Sequence, residues 1–318
     1  MSRGVNAQTR SIIPKGNALP WWRKMARSWQ LYVLVLPAVI WIILFAYAPM
    51  YGVQIAFKDY KVNLGITGSH WAGLKYFNQL FSLPNFRTLL INTLLLSVYS
   101  LLWGFPVPIL LALMLNQVHS KAYKKFVQTV TYAPYFISTV VMVSMLNVFL
   151  TPSSGWVNKI VEAMGGKAIT FMGDPKWFRT VYIASGIWQG AGWGAIIYLA
   201  ALGGIDPALY EAAMMDGATR MQQIIHIDLP CILPTVVIML IMNMGGILNV
   251  GYEKSYLMQN SLNITVSEII STYTYKIGLL NAKYSFSTAV GLFNSSISFV
   301  LVAAANYISR HVTETSLW

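Results

Sequence analysis

Groups able to do chemistry are scarce in this chain. A loop cradling nucleotide phosphates would be glycine-rich and end in Gly-Lys-Ser/Thr. The nearest approach, Gly165-Gly166-Lys167-Ala168, lacks the leading glycine and places Ala after Lys. His70, His119, His226 and His311 stand apart without the spacing of metal ligands, and neither paired carboxylates nor a nucleophile motif converge. No catalytic residue, metal site or cofactor is therefore expected in this chain. What remains is a set of amides and hydroxyls inside apolar runs: Asn147, Gln189, Asn243, Asn249, Asn294, Ser295 and Ser296, with Trp193 close to Gln189. Amides and hydroxyls bind sugar hydroxyls, and aromatic faces stack on sugar rings. Gln189, Trp193, Asn243, Asn249, Asn294 and Ser295 are thus candidates for a solute path; the plainer role for each is to tie helices together.

The elements holding these groups are membrane helices. Of the 318 residues 56% are hydrophobic and 10% charged, against about a quarter charged in soluble domains. Six apolar runs, at about 30–57, 88–115, 128–150, 181–202, 229–250 and 285–307, have the length of membrane spans and contain no Asp, Glu, Lys or Arg. The expected fold is all-α, with six transmembrane helices. The first run is too long for a signal peptide, and no cleavage site closes it. Ion-coupled carriers place charges within their spans; here none are found, which disfavours a self-powered carrier. The single cysteine, Cys231, excludes an internal disulfide. The net charge of +12 is assigned to lipid headgroups and topology, not to nucleic acid.

Residues 1–29 form a basic tail with Trp21, Trp22 and Trp29 beside Arg23, Lys24 and Arg27, the composition of an interfacial segment. The alternate loops divide the Lys and Arg residues evenly, eleven to eleven. Dense clusters in the tail and at Lys121, Lys124 and Lys125 set the expectation that the N-terminus and the 203–228 loop are cytoplasmic. In the fourth run Gly186, Gly190 and Gly194 recur at four-residue spacing, which suits close helix packing, either within the chain or against a partner. Gly245-Gly246, just after Asn243, could loosen the fifth run and expose carbonyls to a cavity.

The 203–228 loop has its own pattern. Asp206-Pro207 is a helix start, and Gly217 is placed to end the helix in a left-handed conformation. Thr219 and Gln222 have the spacing of a capping box. Glu211-Ala212-Ala213, Gly217, Ile227, Leu229 and Pro230 together match the EAA signature, and the chain resembles the permease subunits of binding-protein-dependent ABC importers. Ile224 stands where many relatives have Phe. Trp71-Ala-Gly-Leu-Lys-Tyr-Phe77, Leu80-Phe81, Phe86-Arg87 and Asn92-Thr93 are similar to the carbohydrate-type members, among them maltose and alginate permeases.

That resemblance implies a type I importer permease fold in a bacterial cytoplasmic membrane, with a 30–307 permease domain between the 1–29 tail and a 308–318 tail. It implies a second homologous permease subunit, two ATP-binding subunits carrying ATP and Mg, and an extracytoplasmic solute-binding protein. Glu211, Ala212, Ala213, Asp216, Gly217, Ile227, Leu229 and Pro230 would form the element docked on an ATPase. The expected cargo is an oligosaccharide. The loops assigned to the outside carry eleven basic residues against five acids, which suits an acidic sugar or partner. The alternative within the family is a small non-sugar solute such as an amino acid.

Overall fold

The computed structural model describes residues 28–248, 251–312, 316 and 317. Asn249, and the part of the basic tail carrying Trp21, Trp22, Arg23, Lys24 and Arg27, lie outside the described residues. The described residues fall into two compact units, divided between Val53 and Gln54. In the first, helix α1 (Trp29–Phe57) begins; residues 29–50 include no buried side chain. Its π-helical turn, Ile43–Tyr47, precedes Pro49, which has no N–H to give the carbonyl four residues back.

The second unit is built on long helices. Phe86–Asn116 (α2), Arg220–Gly245 (α7) and Tyr284–Val312 (α8) are straightforward candidate spans. Two other candidates are broken. Lys121–Phe136 (α3) and Thr139–Phe149 (α4) meet at 100°, and Pro175–Gly203 (α5) and Pro207–Met215 (α6) meet at 73°. The single run expected at 128–150 is therefore two helices. Pro134 tightens the end of α3 into a 3-10 turn, and the Ser138 side chain caps α4 by accepting from the Val141 N–H at 3.3 Å. The fifth run also differs: α7 begins at Arg220, not near 229, and ends at Gly245, with Gly246 as its cap. The eighth helix extends to Val312, past the expected limit at 307. Charges then fall within helices, notably Arg87, Arg179 and Asp228.

The core gathers around α5. One cluster joins Leu96, Met142, Phe178, Tyr182 and Ile269; a second joins Ile109, Leu113, Tyr198, Leu202 and Ile232. A third, with Leu80, Leu89, Ile270, Phe286 and Val290, seats α8 against α2. The glycine of closest approach on α5 is Gly192, where a Cβ would overlap the Thr131 carbonyl of α3. At Gly194 a Cβ would lie 3.1 Å from Pro108, a tight contact, whereas at Gly190 it would meet nothing within 4 Å. Only part of the Gly186/Gly190/Gly194 stripe is thus a helix contact.

The segments between helices are ordered by buried amides. Asn158 donates to the carbonyls of Leu150 (3.1 Å) and Ile169 (3.0 Å) and accepts from the Ile169 N–H at 2.7 Å. Asn263 donates to the carbonyls of Met172 (2.9 Å) and Met258 (3.0 Å), while its Oδ1 accepts from the Ser267 hydroxyl at 2.8 Å. The Asn92-Thr93 pair performs the same work: Asn92 donates to the Thr265 carbonyl at 2.9 Å, and Thr93 Oγ1 accepts from the Ile270 N–H at 3.0 Å. Each satisfies backbone groups that burial would otherwise leave unpaired.

Candidate functional site

Two regions qualify. The first is the α6 turn. Asp206 Oδ1 accepts from the Ala208 N–H at 2.9 Å, and Pro207 takes the first helical position. At the other end Gly217 has φ +72°. Its N–H donates to the Met214 carbonyl at 3.1 Å, and the Ala218 N–H donates to the Ala213 carbonyl at 2.9 Å. That is a complete Schellman cap, as expected of a glycine there. The capping box follows, with the Thr219 N–H donating to Gln222 Oε1 at 2.7 Å and the Gln222 N–H to Thr219 Oγ1 at 3.4 Å.

On α6 the Glu211 side chain, Ala212 and Asp216 are exposed, and Ala213 is half-buried beneath them. Leu209, Met214 and Met215 are also exposed, Met215 to 88%, so the exposed surface of the turn combines apolar side chains with the carboxylates of Glu211 and Asp216. Ile227 sits in a π-helical stretch, Ile224–Asp228, and Leu229 and Pro230 open the regular part of α7. Pro230 cannot donate to the His226 carbonyl four residues back, and there the helix widens.

Asp228 is the residue that sequence reasoning missed. It is fully buried. Its carboxylate accepts from the Tyr210 hydroxyl, from Gln117 Nε2 at 3.0 Å and from Asn116 Nδ2 at 3.5 Å. Burial, with the adjacent carboxylate, pushes the Tyr210 phenol up to about 12, so it stays a donor. Three elements thus meet at one buried charge: α6 through Tyr210, the end of α2 through Asn116 and Gln117, and α7 through Asp228. The only local hint was a carboxylate directly before an apolar run.

The second region is a cavity in two lobes. One, about 470 Å³, is lined by Ser100, Pro108, Tyr182, Tyr198, Asn243 and Gly246 among others. The other, about 360 Å³, shares Ser100, Pro108 and Tyr182 and adds Gly186, Gln189, Gly190 and Lys254. Of the expected path residues, Gln189 and Asn243 belong here. Gln189 donates to the Ile137 carbonyl at 2.7 Å, at the α3–α4 break, and Asn243 donates to the Met239 carbonyl at 2.7 Å within its own helix. Asn294 and Ser295 line a separate cavity of about 490 Å³, where the buried Asn294 Oδ1 has no partner among the described residues. Trp193 lines neither lobe. It stacks on Tyr135 with ring centres 4.5 Å apart and 4° between planes, a contact between α5 and α3.

Lys254, on the short helix Tyr252–Met258, was not anticipated either. It is 8% exposed. Its ammonium donates to the Tyr182 carbonyl at 2.6 Å and lies 4.5 Å from the centre of the Tyr182 ring. Burial lowers its pKa to about 8. No carboxylate lines either lobe among the described residues, and no group of His, Cys, Asp and Glu there could hold a metal.

This fold, with its capped α6 turn and two-lobed cavity, is that of a transport permease. Residues 104–314 match the family of binding-protein-dependent transport system inner membrane components, and the chain belongs to that family. It is 46% identical over 295 residues to the polygalacturonan/rhamnogalacturonan transport system permease protein YteP of Bacillus subtilis, covering 93% of this chain and 92% of that one. Protein LplB of the same organism is 43% identical over 307 residues, 96% of each chain. A chain in the crystal structure of a bacterial alginate ABC transporter, in complex with alginate pentasaccharide-bound periplasmic protein, superposes with a TM-score of 0.85. It is 45% identical, covering 93% of this chain and 99% of that one.

Proposed function

We propose that this chain is one of two membrane subunits of an ATP-driven importer of oligosaccharides, acidic ones in particular, delivered by an extracytoplasmic solute-binding protein. The observation that carries this reading is the α6 turn, capped at both ends and tied through Asp228 to α2 and α7. It is a rigid knob on which Glu211, Met214 and Met215 are exposed and left for a partner. Exposed methionines beside the Glu211 and Asp216 carboxylates suit a groove with a basic residue, and we assign that groove to an ATP-binding subunit. In this reading ATP and Mg sit wholly on the partner, this chain hydrolyses nothing, and α6 and the N-terminus face the cytoplasm. The near full-length likeness to a polygalacturonan permease and to an alginate importer supports sugar over amino acid.

Gly217 makes the turn, and its left-handed φ lets the chain pass from α6 into α7 within a few residues. Movement of α6 by closing ATPases would pass through the Asp228 junction to the cavity-lining parts of α2 and α7. The test is reconstitution of this chain with its partner permease, ATPase and binding protein in proteoliposomes. ATP-dependent accumulation of a labelled trigalacturonate is expected. Accumulation that persists without the ATPase would refute the reading.

A further inference from the structure

We propose that Lys254 is a recognition residue for a carboxylate of the sugar in transit, set in the wall of the two-lobed cavity. This rests on the importer reading above and adds the chemical class of group that the cavity selects.

Lys254 is more than nine-tenths buried and forms no ion pair among the described residues; the ion pairs there are Lys75–Asp59 and Lys276–Glu268. An ammonium has three donors. One goes to the Tyr182 carbonyl, and no other acceptor within the described residues takes the remaining two. The ammonium's contacts, the carbonyl and the ring of Tyr182, are both neutral; a buried cation without a counter-charge is costly, and a Leu or Met would fill the same space without that cost. The cost is consistent with a cation held for a ligand.

The surroundings agree. Lys254 lines the 360 Å³ lobe together with Gly186, Gln189 and Gly190. A Cβ at Gly186 would come within 3.1 Å of the ammonium, and one at Gly190 would meet open space. The two glycines thus clear a volume beside the charge. Gln189, also on this wall, keeps its amide oxygen uncommitted among the described residues while its Nε2 is tied to Ile137, so a sugar hydroxyl beside the bound carboxylate has an acceptor. With no carboxylate among the described residues lining the cavity, the site has an unbalanced positive charge in a partly desolvated space, where a charge-assisted bond is strong.

The experiment uses the complete complex in proteoliposomes and two probes, trigalacturonate and its fully methyl-esterified form. The ratio of their uptake rates is compared between wild type and variants, so the preference of the binding protein cancels. Lys254→Met should lower acid uptake about ten- to a hundredfold, the range of one charge-assisted bond, and leave the ester unchanged; Lys254→Arg should keep most of the acid preference. An unchanged ratio in Lys254→Met, or a wild type indifferent between the probes, overturns this inference alone. A wild type that takes up neither probe overturns the oligouronate reading and this inference with it. If Lys254→Met does not assemble, Gly186→Ala decides: it crowds the ammonium and should depress acid uptake selectively, whereas an unchanged ratio overturns the proposal.

Discussion

Replacing Tyr210 by Phe removes one hydroxyl from the half-buried side of α6 and leaves the ring in place. That hydroxyl donates to the fully buried Asp228 carboxylate, whose other donors are Gln117 at 3.0 Å and the longer Asn116 at 3.5 Å. A hydrogen bond to a buried charge contributes about 1.5–3 kcal/mol. Among the side-chain bonds of Asp228, this one alone ties α6 to the spans. Without it the population in which α6 shifts separately from α2 and α7 rises by about 10- to 150-fold. Tyr210→Phe should therefore keep basal ATP hydrolysis in the assembled complex while lowering solute transported per ATP several-fold. Asp228→Asn should do the same and also lower thermal stability in detergent, since an amide presents an N–H to the existing donors. If both act on one bond, the double variant should couple no worse than Asp228→Asn alone. The assay is parallel measurement of ATP hydrolysis and uptake in the same proteoliposomes. A wild-type ratio in Tyr210→Phe, with the protein correctly assembled, would refute the idea that this junction transmits the movement.

Gly217→Val should uncouple hydrolysis from transport: φ +72° costs a β-branched residue about 1–3 kcal/mol although its Cβ would meet nothing. Gly217→Asn should be much milder, and normal substrate-stimulated ATPase in the Val variant would count against the prediction. A single cysteine at Met215, in a Cys231→Ser background, should cross-link to the ATPase in a nucleotide-sensitive way; labelling of that cysteine from outside the cell would reverse the proposed orientation. Asn263→Ala removes an amide bonded to Met172, Met258 and Ser267; it should cost about 2–4 kcal/mol and shift thermal unfolding in detergent downward, and an unmoved transition would show that water replaces it. Gln189→Leu frees the Ile137 carbonyl at the α3–α4 break and should reduce uptake with little change in basal hydrolysis, read in the same assay.

What the sequence showed clearly were features whose causes are local. Asp206, Pro207, Gly217 and the Thr219–Gln222 pair act on backbone groups within a few residues, so spacing alone located both ends of α6 and the start of α7. Span positions followed from hydropathy, but the averaging that reveals a span conceals its interruptions: Pro134 and Ser138, ordinary break signals, were lost inside the 128–150 run. The Asp228 junction and the Lys254 site could not be read this way. Gln117 lies 111 residues before Asp228, and Tyr182 lies 72 before Lys254, and nothing in either neighbourhood announces its partner. The stacking of Trp193 on Tyr135 was hidden for the same reason, since the two rings lie 58 positions apart and an aromatic near polar groups reads the same whatever it packs on.

Helix α7 is unbroken from the capping box to Gly245, which makes it a lever. With 1.5 Å of rise per residue, Asn243 lies about 22 Å along the axis from the buried carboxylate of Asp228. A tilt of about 10° around that fulcrum would carry the amide sideways by roughly 4 Å, a distance comparable to the width of a sugar ring. The prolines at 230 and 234 sit on the cavity side of the fulcrum, where a small flexure subtracts from the stroke delivered to Asn243. Stiffness of this one rod, more than the shape of the cavity at rest, would then set how much of the motion at the docked end reaches the solute.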